Sequence, residues 1–338
     1  MKYHIETEQR TAGGKTSDVY RLFRDDRATE IHIWPAHGFN CLKWTQQGRD
    51  LLYCSPEWET NPVPTRSGIP ILFPFPNRLT DGVLHFEGKK YQLPKNDSTQ
   101  SHAIHGFAPR NPWRVVGYGS DSKSAWLHGD FQLSVDLPNH AELWPGDAIL
   151  SVTYRLFETY LRIEVRVQNV GPTAFPFGFG IHPYFCFSGI SDVSQVRLHA
   201  PARHVWETIN NLPTGEKKPL PDDLNWNRPR MIGMSQPDTL YTDLDPLAGP
   251  THDQLFCWAA LGVENQNGAL EIWASRDFRE SVIFTPAHRQ AICWEPYTCA
   301  TDAPNLMERD IDSGWRVLPV EGIWSSAIEL RWNPDREI

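Results

Sequence analysis

Two short stretches of this chain end in groups that can move protons. The first is Phe175-Pro176-Phe177-Gly178-Phe179-Gly180-Ile181-His182, and the second is Gln290-Ala291-Ile292-Cys293-Trp294-Glu295. Read as strands, both have unlike faces, because side chains alternate with period two. Phe175, Phe177, Phe179 and Ile181 make a bulky apolar face. Pro176, Gly178 and Gly180 leave the other face nearly bare up to the imidazole of His182. In the second stretch Ile292 and Trp294 share one face, while Ala291, Cys293 and Glu295 share the other. Glycine within a strand marks close approach of a ligand or of backbone, so the bare surface is expected to leave room for a ligand. A carboxylate and an imidazole across one pocket suit proton removal at one atom and delivery at another. Singly, each group has a plainer reading: His182 as a hydrogen-bonded core histidine, Glu295 as a strand-end carboxylate in water. The same layout occurring twice favours a shared acid–base site.

Two further segments offer polar groups. Gly68-Ile-Pro-Ile-Leu-Phe-Pro-Phe-Pro-Asn-Arg78 is an apolar, proline-broken run that stops at Asn77 and Arg78. Its arginine can reach into a cleft to bind hydroxyls, or pair with a surface carboxylate. Ser101-His-Ala-Ile-His-Gly-Phe107 carries His102 and His105, but no nearby residue completes a metal set. A single neutral histidine at 105, with Gly106 easing backbone approach, is the better reading. Gly14-Lys15-Thr16 lacks the earlier glycine of a phosphate loop, since position 9 is Gln. No Gly-x-Ser-x-Gly nucleophile elbow and no dinucleotide fingerprint occur.

The elements that must position these groups read as strands. The chain has 28 prolines and 23 glycines, and no long segment holds a helical apolar period. Leu161, Ile163, Val165 and Val167 alternate with Arg162, Glu164, Arg166 and Gln168, the pattern of a half-buried antiparallel strand. Glu30–Trp34, Ala269–Ala274, Ser281–Phe284 and Ala327–Trp332 repeat it. Strand signals run from end to end without a linker, so one all-β domain over 1–338 is expected, built of two large sheets face to face. Residues 1–18 read as a loose lead-in and 208–250 as a long irregular excursion.

Composition narrows the function classes. With 338 residues the chain can bury a large core. A net charge of −9 argues against nucleic acid or an anionic membrane as the partner. No secretory leader and no membrane span is visible. The six cysteines form no C-x-x-C pair, which fits free thiols in a reducing cytoplasm. Tryptophan is abundant; its rings suit the C–H faces of sugars, and equally a large β core.

Four motifs, in order and spacing, resemble the aldose 1-epimerase (galactose mutarotase-like) family: Asn77-Arg78, His105-Gly106-Phe107, Gly180-Ile-His-Pro-Tyr-Phe185 and Cys293-Trp-Glu-Pro-Tyr297. The resemblance spans roughly 30–332. It implies a β-supersandwich of two large, mainly antiparallel twisted sheets, no cofactor or metal, and interconversion of the α- and β-anomers of a free hexose such as glucose or galactose. It implies that Glu295 takes the proton of the C1 hydroxyl and that His182 protonates the ring oxygen. Glu295 is then expected ionised and His182 protonated. His105 would assist at the ring oxygen, and Arg78 and Asn77 would bind hydroxyls. Asp253 in His252-Asp-Gln-Leu-Phe256 is the best match to a sugar-binding aspartate, with Asp243 and Asp245 as alternatives. The expected partner is a small sugar, the expected assembly a monomer or weak homodimer, and the expected location the cytoplasm. Two other readings stand beside this one. His105-Gly-Phe-Ala-Pro-Arg110 and Trp113 also resemble hexose-6-phosphate epimerases, where Arg110 or Arg66 could meet a phosphate. A non-catalytic sugar-binding module on the same scaffold would not need both His182 and Glu295.

Overall fold

The computed structural model describes residues 2–338. Its regular structure is nearly all β, in two large antiparallel sheets, a smaller five-stranded one and three two-stranded ones. The largest has nine strands, in spatial order Arg114–Ser120, Ala125–Gln132, Ala148–Leu156, Tyr160–Asn169, Ile323–Asn333, Ala269–Ala274, Phe256–Val263, Val196–His199 and Arg230–Met231. The second has seven, in the order Leu212–Pro219, Ala202–Ile209, Asp238–Leu244, Glu280–Phe284, Cys293–Tyr297, Gly180–Ile181 and Ile71–Leu72. A five-stranded sheet comprises Tyr3–Ala12, Lys15–Arg24, Glu30–Trp34, Asn40–Gln46 and Arg49–Asp50.

The alternating strand Tyr160–Asn169 sets the register of the largest sheet. Leu161, Ile163 and Val167 are fully buried and lie opposite Leu156, Tyr154 and Leu150 on one side, and Leu330, Ile328 and Trp324 on the other. Each such side chain contributes about 1.5–3 kcal/mol on burial. A slip of one residue would carry Arg162, Glu164 and Arg166 into the core, so the register is strongly specified. One buried apolar cluster runs from Tyr3 to Trp332. Every tryptophan except Trp126 and Trp273 is buried, so the abundance of this residue mainly reflects the core.

Two expectations need correction. Residues 3–24 are a regular hairpin, paired from Tyr3↔Arg24 to Ala12↔Lys15, not a loose lead-in. Gly13 and Gly14, both at positive φ, make the two-residue turn that matches strand twist. The 208–250 excursion likewise contains regular structure. Asn210 and Asn211, at φ +53° and +64°, turn the chain between Ala202–Ile209 and Leu212–Pro219, and Asp238–Leu244 lies inside the seven-stranded sheet. The misleading signal was the richness in Pro, Asn and Asp, of which Asn210 and Asn211 merely make a turn; Glu216, Lys217 and Lys218 sit on the outermost strand, where charged residues guard an exposed edge. Among the described residues, no helix is long and apolar enough to cross a membrane, and all six cysteines are free.

Candidate active site

Strand register brings the two proton-moving groups together. Gly180 lies opposite Tyr297, so the antiparallel count places His182 opposite Glu295. The His182 Nε2 to Glu295 Oε1 distance is 3.3 Å, and both residues are buried. Phe175, Phe177, Phe179 and Ile181 fill the core on the opposite face, each fully buried.

The bare face of the first stretch has a use that the residue pattern did not suggest. A Cβ at Gly180 would lie 2.4 Å from the Tyr297 ring, and one at Gly178 would lie 2.3 Å from Cys299 Sγ. The protein's own atoms therefore occupy the space expected for a ligand. Tyr297 then reaches back and donates a short hydrogen bond to Glu295 Oε2. Tyr184 is its counterpart beside the histidine. Its ring stacks on His182 at 4.5 Å and 5°, and its hydroxyl lies 3.2 Å from Nε2 while donating to the Thr65 carbonyl. Both tyrosines were overlooked in the residue pattern, yet the signal was present. His182-Pro183-Tyr184 and Glu295-Pro296-Tyr297 each follow a titratable group with Pro-Tyr, and a residue two positions on shares the face of the first.

The loop groups meet the strand pair from one side. The ring of His105 lies 5.6 Å from that of His182, edge to face. His105 Nδ1 accepts the Asn77 N–H at 3.2 Å and its own N–H donates to the Asn77 carbonyl at 2.8 Å. That acceptor role assigns the ring proton to Nε2. Gly106, at φ +66°, packs on Phe73, whose carbonyl oxygen would be 2.2 Å from a Cβ. Arg78 is held by the Asn77 side chain at 3.3 Å and by Asp97, whose Oδ2 lies 3.7 Å from Nε. Burial alone would raise the Asp97 carboxyl. Hydrogen bonds from the His102 N–H, the Thr99 hydroxyl and the Ser101 N–H outweigh it and hold the group at about 2.

Burial dominates the electrostatics of the pair. It pushes Glu295 well above the ordinary carboxyl range; the Tyr297 hydroxyl opposes this, the Asp238 charge adds to it and Arg78 opposes it. Burial pulls His182 down to about 3. His105 is likewise held well below its ordinary value, by burial first and then by the charges of His182, Arg110 and Arg78. Burial thus works against the expected ionised Glu295 and protonated His182. Desolvation disfavours both charged forms.

The three candidate aspartates lie elsewhere. Asp253 pairs with Arg162 Nη1 at 2.8 Å and lines a groove of about 560 Å³ with His128, Thr153, Glu164 and Ser325, residues of the nine-stranded sheet. Asp243 pairs with His204 and Lys217 at 2.9 and 3.0 Å, and Asp245 lies 3.6 Å from Arg203. Asp238 lies nearer the pair. Leu240 lies opposite Val282, and Val282 opposite Glu295, so Asp238 shares the face of Glu295. It is exposed, yet surrounding protein raises its carboxyl, with Arg78 opposing. The missed signal was a lone carboxylate opening the alternating stretch Asp238, Leu240, Thr242.

The fold and this site define a class of protein, the galactose mutarotase-like β-sandwiches. A galactose mutarotase-like protein from Clostridium acetobutylicum is similar at a TM-score of 0.85 and 22% identity, over 98% of this chain and 99% of that one. The galactose 1-epimerase of Lactobacillus acidophilus is similar at a TM-score of 0.76 and 15% identity, over 99% and 100% of the two chains. The Escherichia coli K12 protein YihR, which is uncharacterized, is 28% identical over 246 residues, 72% of each chain. The profile of the aldose 1-epimerase family matches residues 24–307. The chain belongs to the aldose 1-epimerase family.

Proposed function

We propose that this protein is an aldose 1-epimerase, a mutarotase acting on a free hexose such as glucose or galactose. The observation that carries the reading is the buried His182–Glu295 pair at 3.3 Å, a base and an acid within reach of one another. Anomerisation needs only that exchange. In the charge-separated form, the Glu295 carboxylate takes the proton of the C1 hydroxyl. The C1–O5 bond breaks, its electrons go to O5, and the His182 imidazolium protonates that oxygen. An open-chain aldehyde results; rotation about C1–C2 and the reverse transfers close the ring as the other anomer. Ring opening leaves Glu295 protonated and His182 neutral, the uncharged form that burial favours. His105 Nε2–H donates to a sugar oxygen, and Arg78, Asn77 and Asp238 orient hydroxyls.

Polarimetry on freshly dissolved α-D-glucose and α-D-galactose tests this. The protein should speed mutarotation and Glu295→Gln should lose that effect. Equal rates for the two proteins would overturn it. One observation favours a hexose 6-phosphate as the second reading. Among the described residues, Arg66 and Arg110 pair with no carboxylate. The Arg110 guanidinium donates to the Ile104 carbonyl at 3.1 Å, beside His105, and Arg66 follows Thr65, the acceptor of the Tyr184 hydroxyl. Acceleration confined to glucose 6-phosphate would select that reading. Sugar binding without acceleration would leave a binding module.

A further inference from the structure

Glu295 and His182 have a third neighbour that the proton chemistry does not use. Cys293 shares the strand and face of Glu295, and the donor atoms of His182, Cys293 and Glu295 all lie within 4.8 Å of one another, with all three residues buried. From this geometry we propose that the pocket binds a divalent, thiophilic cation of the zinc type through His182, Cys293 and Glu295, and that the ion and the sugar exclude each other. The exclusion rests on the epimerase reading; the binding does not.

The donor set selects the ion. A nitrogen, a sulfur and an oxygen suit zinc, while magnesium and calcium prefer oxygen throughout. Three protein donors leave a fourth, water-filled position. Tetrahedral bonds of about 2.0–2.1 Å put neighbouring N and O ligands roughly 3.4 Å apart, and His182 Nε2 and Glu295 Oε1 already stand 3.3 Å apart. Two of the three donors have a free ligating atom, and the Tyr184 hydroxyl beside His182 Nε2 gives its proton to the Thr65 carbonyl. Among the described residues the Cys293 thiol makes no hydrogen bond, and the Tyr297 hydroxyl occupies only Oε2 of Glu295. That hydrogen bond would steady the carboxylate once Oε1 ligates, as outer partners of metal ligands do.

Charge decides which valence fits. Ligands bind a metal deprotonated, so Glu295 contributes a carboxylate, Cys293 a thiolate and His182 a neutral imidazole. Carboxylate, thiolate and dication sum to zero. A buried site resists a single unpaired charge; a monovalent ion on the same ligands would leave a buried negative charge, and a trivalent ion a positive one. Bound metal takes the lone pairs of both proton-moving groups, so a sugar can no longer be opened there.

Cobalt(II) titration of the metal-free protein tests the site, because a thiolate ligand gives a charge-transfer absorption band. The band is expected in the wild type and in Cys54→Ser, which removes an exposed thiol, and is expected to vanish in Cys293→Ser. Zinc should displace the cobalt. Glu295→Gln should weaken cobalt binding at least tenfold, and circular dichroism checks that each variant is folded. Zinc should also suppress mutarotation, with at least a tenfold higher half-inhibitory concentration in Cys293→Ser. A band that persists in Cys293→Ser, or no band in the wild type at millimolar cobalt, would overturn the proposal. A cobalt band with no mutarotation would leave the metal site standing and remove the epimerase reading. Mutarotation insensitive to zinc would leave the epimerase reading standing and overturn the mutual exclusion.

Discussion

Two polar faces of this molecule both carry carboxylates and treat them in opposite ways. On the nine-stranded sheet, Arg162 meets Asp253, Glu164 and Glu329 at 2.8, 3.1 and 2.6 Å. Arg331 pairs with Glu329, and Arg336 with Glu271 at 2.7 Å. On the seven-stranded sheet, Glu295 faces a histidine and a tyrosine, and Asp238 has no ion pair among the described residues. Glu280, on the strand next to Glu295, is fully buried, and burial raises it to about 7, with the Trp206 indole N–H and the Arg279 charge opposing. Charge that is answered by opposite charge builds a stable surface. Charge that is desolvated and left partly unanswered is what moves protons near neutrality.

Breaking the second face should cost the most. Glu295→Gln is expected to reduce the acceleration of mutarotation by about 10²–10⁴-fold, as polarimetry would read. Glu329→Gln removes a carboxylate that is just as buried, and should leave the rate near wild type while lowering thermal stability. A large loss of rate in Glu329→Gln would erase the distinction between the faces. Next comes the aspartate exchange. Asp238→Asn should lower kcat/KM for the preferred aldose about tenfold, the loss of roughly 1.5 kcal/mol of charged hydrogen bonding, and Asp253→Asn should change it less than twofold.

A third test concerns the support of Arg78. Asp97 titrates at about 2 when folded and near ~3.9 when unfolded. A depressed carboxyl stabilises the fold above the unfolded value, and that stability is lost as pH falls from ~4 toward 2. The amount is about 2 kcal/mol. Urea midpoints at pH 7 and pH 3 should therefore fall less steeply in Asp97→Asn than in the wild type; parallel lines would contradict the assignment. The smallest effect belongs to the surface. Asp253→Ala should cost less than about 1 kcal/mol and lose even that at high salt, since exposed pairs are screened.

The sequence made the strand pair legible because alternation and register are local and binary. Once Gly180 faces Tyr297, His182 must face Glu295. Asn77, Arg78 and His105 were legible from motif spacing, and their meeting depends on backbone contacts between Asn77 and His105 that spacing alone does not reveal. The aspartate was hard to place because four carboxylates in 238–253 lie near one another in sequence, while only strand register decides which one shares the face of Glu295. The pull of burial on the pair was not legible for a different reason. Ordinary titration values describe side chains in water, and the degree of desolvation at Glu295 and His182 emerges only after distant strands have packed around them.

The close fit of Gly180 against Tyr297 has an evolutionary consequence. Any side chain at 180 would displace the ring that steadies Glu295, and a smaller residue at 297 would leave a void where the ring now lies. Neither position can drift alone without a cost to the fold or to the carboxylate. The two should therefore change together across relatives, and a library that varies one while fixing the other would sample mostly damaged proteins. Varying 180 and 297 as one unit is the route by which this pocket can be reshaped.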